Sequence, residues 1–293
     1  MKITNRYSLP ETLVRAVSDD ERVYEPGVIS VTSLIKPPQM YALEIAHRDD
    51  IVVDVSDLIW RLLGSAVHEV LERAQIDNAL QEEELSMEVL GWKVVGHPDL
   101  WTPPGILDDY KVTSVYAFLN GVKVEWEQQL NCYDPLYRAH GFETEEARIV
   151  AILRDWTKSR VNGDGYPPAA SLTMPVLLWP HDVQQEFIVD RVRLHQSVLE
   201  GGVDAPSCTP EERWRRATTY AVTKFGNKRA ARVLDTLAEA DAWRAEQSKP
   251  GDFVIEQRLG ASVRCEGYCD VAPWCSQYQM MRQERDDADQ GTY

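Results

Sequence analysis

Short stretches in which apolar residues alternate with polar ones, or follow one another without interruption, predict β-strands. One such run covers residues 87–95 and leads to Asp99, and a second covers residues 105–112. A Thr-Pro-Pro-Gly turn between them should fold Asp99 back beside Asp109. Residues 147–154 are almost all apolar, which suits a central strand. Further strands are predicted at residues 173–179 and 253–256.

Two segments have the three-to-four-residue spacing of amphipathic helices. In residues 62–72, the apolar stripe that we expect to face the core consists of Leu63, Val67, Val70 and Leu71. His68 lies on a different side of this helix. In residues 125–133, Gln129 and Tyr133 are four positions apart and share a face. Pro135 follows, and because proline lacks a backbone donor we expect this helix to end or kink there.

The remaining patterns predict how the chain is organised. A serine-capped helix should start at Ser30, and longer helices are predicted at residues 183–199 and 228–247. The strongest break is the Asn-Gly-Asp-Gly sequence that begins at Asn162. We expect an α/β protein with a mixed sheet flanked by helices. Its parts would be an N-terminal segment at 1–29, a core at 30–160 and a C-terminal extension at 161–293.

The predicted strands carry a combination of charged residues that indicates phosphodiester chemistry. Asp109 and Lys111 are two positions apart, so their side chains leave the same face of a strand, whereas Asp108 faces the other way. The predicted turn brings Asp99 beside them. Two carboxylates suit Mg²⁺ or Mn²⁺, and an adjacent ammonium can stabilise an attacking hydroxide or the charge developing on phosphorus. A surface hairpin with an ordinary Asp–Lys pair is the alternative.

Four short motifs follow one another along the chain. They are G-x-x-x-H on a helix (Gly64 to His68), G-x-x-D on a strand (Gly96 to Asp99), D-x-K on a strand (Asp109 to Lys111) and Q-x-x-x-Y on a helix (Gln129 to Tyr133). In this order, the region from about residue 30 to residue 156 resembles the RecB-like branch of the PD-(D/E)XK nucleases, and in particular phage-type exonucleases. The resemblance implies a restriction-endonuclease-like core, with a mixed β-sheet between helices.

The resemblance also implies roles for individual residues. The ligands of the catalytic Mg²⁺ or Mn²⁺ ions would be His68, Asp99, Asp109 and the main-chain carbonyl of Tyr110. Lys111 would act on the attacking water. Gln129 and Tyr133 would orient the site or contact the DNA backbone. Without this context, a single helix histidine is more often a structural residue than a ligand.

The charge of the chain bears on its partner. A formal net charge of −16 argues against nucleic acid, because DNA is a polyanion. However, residues 77–88 are acidic without one basic residue, and residues 213–232, here called the basic island, contain no acid. The island's candidates for DNA contact are Arg213, Arg215, Arg216, Lys224, Lys228 and Arg229. Trp214, Tyr220 and Phe225 lie among them and suit stacking on unpaired bases, while a solvated face is the alternative.

Three cysteines, Cys265, Cys269 and Cys275, form a compact C-x3-C-x5-C cluster. In a cytoplasmic protein, this spacing indicates a metal or cluster before disulfides. The triplet is similar to that of RecB-like nucleases in which a fourth cysteine completes a 4Fe-4S cluster, stapling the domain. The usual fourth position, ahead of the histidine helix, has no cysteine, so Cys208 is the expected substitute in a cysteine-stapled C-terminal helical subdomain. A 4Fe-4S cluster, zinc and unliganded thiols stay open, and Cys132 should pack in the core.

These features lead to one main hypothesis and two alternatives. No apolar run is long enough for a membrane span and no signal peptide is evident, so we expect a cytoplasmic protein of a bacterium or phage-infected cell without a membrane partner. The main hypothesis is a Mg²⁺- or Mn²⁺-dependent DNA nuclease, more an exonuclease than an endonuclease, that acts on single strands or duplex ends in recombination, repair or phage DNA processing. A recombinase or annealing protein would be its partner.

The first alternative is a catalytically silent DNA-binding or regulatory protein on the same fold. The complete set of Asp99, Asp109 and Lys111 argues against it. The second alternative is an acidic inhibitor that mimics DNA. The net charge fits an inhibitor, but the basic island and the cysteine cluster do not.

Overall fold

The computed structural model describes residues 1–18, 24–199 and 206–290, with side chains up to residue 285. The chain forms two compact units, residues 1–205 and residues 206–293. The strands of the first unit are β1 (Lys2–Thr4), β2 (Val28–Ser30), β3 (Val52–Asp54), β4 (Leu80–Gln81), β5 (Leu85–Val89), β6 (Trp92–Gly96), β7 (Leu100–Thr102), β8 (Ile106–Thr113), β9 (Glu146–Leu153) and β10 (Ser171–Val176). Its helices are α1 (Glu11–Ser18), α2 (Val31–Leu34), α3 (Pro38–Ala46), α4 (Ile59–Glu72), α5 (Val115–Leu119), α6 (Val124–Ala139) and α7 (His181–Leu199).

A mixed five-stranded sheet organises the first unit, in the strand order β10-β9-β8-β7-β4. β8 and β9 are parallel, and the other neighbouring pairs are antiparallel. β2, β6 and β5 form a smaller sheet, and β1 pairs with β3. The predicted α/β class and the interior strand at 147–154 are therefore confirmed. The sheet also extends past residue 160, since β10 pairs with β9 along its whole length.

Helix α6 runs through the core of the first unit. Every residue from Gln129 to Tyr137 is buried, as expected for a helix covered on all sides. The amide of Asn131 accepts a hydrogen bond of 2.7 Å from the backbone of Trp179 and donates one of 2.9 Å to the carbonyl of Leu177. Of the two outcomes expected at Pro135, an end or a kink of the helix, the end does not occur, because α6 continues to Ala139. Packing on all sides offsets the hydrogen bond that proline cannot donate.

Two other local predictions for the first unit need correction. Residues 87–95 are a hairpin rather than one strand: Leu90 and Gly91 have left-handed backbones, with φ of 50° and 79°, and β5 pairs with β6. The stripe expected to face the core in α4 is largely uncovered. Leu63 is 38% exposed and Val70 is 62% exposed. The spacing gave the periodicity of α4 correctly, but spacing does not reveal how much of a helix its neighbours cover.

The second unit combines a sheet with short helices. Its elements are β11 (Thr219–Lys224), β12 (Arg232–Leu234), α8 (Leu237–Ala245), β13 (Phe253–Arg258), α9 (Val263–Gly267) and α10 (Ser276–Gln290). The antiparallel order is β12-β11-β13, so the expected helical subdomain also carries a sheet. The helix predicted at 228–247 begins only at Leu237, because Thr236 and Glu239 form a capping box there. Among the described residues, none of the helices is both long and apolar enough to span a bilayer.

Candidate active site

The hairpin of β7 and β8 brings the predicted aspartates together. Leu100 pairs with Asp108, so Asp99, directly before β7, lies beside Asp109. The backbone N–H of Tyr110 donates a hydrogen bond of 2.5 Å to Oδ2 of Asp99. The predicted turn between the two strands is confirmed. It holds Asp99 against the backbone of β8, the strand that carries Asp109.

The alternation of β8 separates its two neighbouring aspartates. Asp109 and Lys111 share a face, and Nζ of Lys111 lies 2.7 Å from Oδ2 of Asp109. Asp108 faces the other way, where the guanidinium of Arg148 donates two hydrogen bonds of 2.6 Å to its carboxylate. Asp108 therefore has a structural partner, and Asp109 is the carboxylate of β8 that belongs to the site.

The side chain of Asp109 is only 1% exposed. Its Oδ1 has no hydrogen-bond partner among the described residues. Burial raises the pKa of Asp109, the charge of Lys111 opposes this rise, and the charge of Asp99 adds to it. Leaving a buried charged oxygen unpaired costs more than the about 1–3 kcal/mol typical of a neutral group, so this carboxylate is suited to a cation.

His68, on α4, lies between two carboxylates. Its Nδ1 is 3.4 Å from Oδ1 of Asp99 and 3.3 Å from Oε1 of Glu82. The hydrogen bonds to Asp99 and Glu82 raise the pKa of His68 to about 10. Because only a neutral imidazole binds a metal, an ion bound here would displace this proton. One ligand atom from each of the three residues lies within 4.8 Å of the other two. An imidazole and two carboxylates at this spacing are a donor set that fits Mg²⁺ or Mn²⁺.

Glu82 is the residue of this cluster that the sequence analysis missed. It lies in the acidic segment 77–88, which we interpreted only as charge. Its backbone is left-handed, with φ of 51°, a strained conformation for a residue other than glycine. Its N–H donates a hydrogen bond of 3.3 Å to the carbonyl of Asp99. The sequence separation of 14 from His68 carries no motif, so no spacing signal pointed to Glu82.

Gln129 and Tyr133 of α6 lie near Asp109 and Asp99. Nε2 of Gln129 donates a hydrogen bond of 2.9 Å to Oη of Tyr133, and the two side chains are buried. Burial raises the pKa of Tyr133, and the negative charge of Asp109 raises it further. The pair therefore lies within electrostatic range of Asp109. Its burial argues for orientation of the site over contact with the DNA backbone.

In the second unit, the thiol of Cys208 lies within electrostatic range of the other three cluster thiols. Burial raises the pKa of Cys208 to about 12, and Glu212, Cys275, Cys265 and Cys269 add to the rise. Among the described residues, no three of these sulfurs lie within 4.8 Å of one another. Tetrahedral zinc with bonds of about 2.3 Å would hold its sulfurs about 3.8 Å apart. The spacing is therefore wider than a zinc site requires.

Cys132 lies in the core of the first unit, as predicted, and is 0% exposed.

The basic island divides into a buried and an exposed part. Arg213 is 9% exposed, and its guanidinium donates to Oγ of Ser262 and to the carbonyl of Cys208, both at 3.1 Å. We therefore assign Arg213 to packing of the second unit. The exposed candidates are Arg215, Arg216, Lys224, Lys228 and Arg229. Lys228 and Arg229 line one surface depression together with Arg232 and Arg258.

The chain has a weak structural similarity, at low sequence identity, to two solved structures. One is the crystal structure of SSO0001, with 21% identity, 63% of this chain and 85% of that chain covered, and a TM-score of 0.44. Another is an alkaline exonuclease, LHK-Exo, from Laribacter hongkongensis, with 13% identity, 60% and 89% covered, and a TM-score of 0.36. Neither score is high enough to support an argument about function. No protein-family model and no curated protein matches the chain.

Proposed function

We propose that this protein is a divalent-metal-dependent DNA nuclease of the RecB-like PD-(D/E)XK type. The observation that carries the proposal is the buried Asp109, whose Oδ1 lacks a partner while Lys111 lies 2.7 Å from Oδ2. Neither oxygen of this buried carboxylate accepts a hydrogen bond of good geometry from a described residue, so it remains available to a cation. The charges of Asp99 and His68 reach it.

The ligands of the metal ions would be His68, Asp99, Asp109, the main-chain carbonyl of Tyr110 and, in addition, Glu82. Carboxylate and carbonyl oxygens with one imidazole suit Mn²⁺ or Mg²⁺. The bound ions supply Lewis acidity at the scissile phosphate and lower the pKa of water.

The chain's own groups act around this centre. The ammonium of Lys111, held by Asp109, donates a hydrogen bond to the attacking water or to the oxygen on which charge develops. Hydrolysis forms a bond from the water oxygen to phosphorus and breaks the bond to the departing sugar oxygen, which takes up a proton. Gln129 and Tyr133, which are hydrogen-bonded to each other near Asp109, would orient the site. Exonuclease action in recombination, repair or phage DNA processing, with a recombinase or annealing partner, is the finer part of the proposal.

For the cysteines, we propose a 4Fe-4S cluster held by Cys208, Cys265, Cys269 and Cys275. The support is the close spacing of three of these cysteines in the sequence and the position of Cys208 within electrostatic range of the other three thiols. Purification without oxygen should give broad visible absorbance together with iron and sulfide in the sample. A colourless protein with one equivalent of zinc would contradict the cluster without touching the nuclease proposal.

The nuclease proposal is tested with end-labelled linear DNA and Mn²⁺. Parent protein should degrade the DNA, EDTA should stop it, and Lys111→Ala should be inactive. Lys2→Ala, which removes a lysine that is 68% exposed, is the matched control and should keep full activity. If parent and Lys111→Ala bind DNA alike and neither cuts with any divalent ion, the catalytically silent alternative is the better account.

A further inference from the structure

Two cations gather near Lys111 in addition to the groups already described. Lys123 directly precedes α6, and Arg154 directly follows β9. The backbone N–H of Arg154 donates a hydrogen bond of 2.9 Å to the carbonyl of Thr113, which ends the strand that carries Lys111. Crowding by protein atoms lowers the pKa of Lys123 despite an opposing effect of Glu125, and the charges of Arg154 and Lys111 lower it further. The three cations are therefore close enough to repel one another.

Glu125 relieves this repulsion only in part. Within the described residues, no carboxylate lies within 4.0 Å of the charged groups of Lys123 or Arg154. Each cation instead lies over an indole. Nζ of Lys123 is 4.7 Å from the ring centroid of Trp126, and Cζ of Arg154 is 4.2 Å from that of Trp60. In a chain with a net charge of −16, unneutralised cations at one place point to an anionic ligand.

Trp60 connects this group to the metal ligands. It is 56% exposed although Arg154 stacks on it. Trp60, Gly64 and His68 are spaced four residues apart on the same side of α4. The rise of an α-helix places Trp60 about 12 Å along α4 from His68, a distance that a few nucleotides of a strand can span. Trp126, by contrast, is partly buried against the core, and Lys123 lies over its ring.

We propose that Trp60, Lys123 and Arg154 form a binding track for an unpaired DNA strand that leads to the catalytic carboxylates. This inference rests on the proposed function and specifies its substrate. Phosphates would contact Lys123 and Arg154, and a base would stack on the indole of Trp60. Base pairs inside a duplex are stacked on both faces, whereas an unpaired base can offer a face to an exposed aromatic ring, so the track favours single strands or frayed ends over closed duplex.

The test measures binding without cleavage. A fluorescein-labelled oligonucleotide and a blunt hairpin duplex of equal charge are titrated in Ca²⁺, by anisotropy, at several salt concentrations. Trp60→Leu should bind the single strand about tenfold more weakly with an unchanged salt dependence, and should bind the duplex as the parent does. Lys123→Gln should lower the slope of log K against log salt by about 0.7, the value for one phosphate contact on a single strand.

The control removes a charge elsewhere. Arg193 lies on α7, and its side chain is 62% exposed. Arg193→Gln should change neither the affinity for DNA nor the slope of log K against log salt. If Trp60→Leu and Lys123→Gln bind the single strand as the parent does, or lose single-strand and duplex affinity equally, the track is refuted. Mn²⁺ cleavage by the parent is measured separately. A parent that cuts DNA while the track variants bind normally refutes only this inference, and a parent that binds as expected but never cuts refutes only the nuclease.

Discussion

The glycine of the G-x-x-D motif should be required for packing, and the glycine of the G-x-x-x-H motif should not. Gly96 is buried at the end of β6, against α6. A Cβ at this position would lie 2.8 Å from Cε1 of Tyr133 and 2.9 Å from Cδ1 of Leu136. At Gly64, on α4, a Cβ would meet no atom within 4 Å. The same substitution therefore has opposite consequences at the two motifs.

The magnitudes follow from these contacts. In Gly96→Ala, two side chains of a fully packed helix must each move by several tenths of an ångström, and overpacking of this kind costs about 1–3 kcal/mol. Tyr133 is also held by Gln129, so its displacement moves the pair that lies near Asp109. In Gly64→Ala, the gain in helix propensity stabilises the protein by up to about 1 kcal/mol. The two variants should therefore differ by about 2–4 kcal/mol in free energy of unfolding.

Urea denaturation followed by circular dichroism measures this difference, and Mn²⁺-dependent cleavage is measured on the same samples. Gly96→Ala should lose stability and activity together. A Gly96→Ala protein as stable as the parent would show that α6 does not approach β6 as closely as described. If Gly64→Ala gained stability but lost activity, Gly64 would be needed for a ligand to approach the helix rather than for folding.

Three further results are expected. Asn131→Ala should cost about 1–3 kcal/mol in urea denaturation, because the buried Nε2 of Gln184 and the partly buried N–H of Trp179 lose their acceptor. Burial lowers the pKa of His195 to about 4, so stability is complete above the unfolded value of about 6.5 and is lost as the pH falls towards 4. At pH 5 this loss is about 2 kcal/mol, and a His195→Leu protein should not show it. Arg148→Ala should cost about 2–3 kcal/mol by leaving Asp108 unpaired, and adding Asp108→Leu should restore part of it.

Predictions from the sequence succeeded where a property depends on neighbouring residues. The side chains of Asp109 and Lys111 leave the same face because alternation is a property of any strand, and the Pro-Pro-Gly turn is determined by its own residues. Helix α7 was likewise predicted almost to its bounds. Helix α6 does not end at Pro135 because it is surrounded by other elements, and their packing outweighs the local preference.

The residues that sequence reasoning missed owe their roles to elements distant in the chain. Glu82 becomes a candidate ligand only because α4 brings His68 to it, and Trp60 faces Arg154 only because α4 and the end of β9 are neighbours in space. The exposure of part of the α4 stripe likewise depends on elements that are distant from α4 in the chain. Periodicity along one helix contains no information about which side its neighbours cover or leave open.

For the charges of the chain too, the location of individual residues matters more than the net charge. A total of −16 predicts repulsion from DNA if the charges are spread evenly. In the structure, Glu82 of the acidic segment turns inward to His68, whereas Lys123 and Arg154 stand near Lys111 without acidic partners within 4.0 Å among the described residues. Because screening limits surface fields to about 8–10 Å, a strand at the site would respond chiefly to these local charges. An acidic protein can thus hold a polyanion wherever its few free cations are gathered.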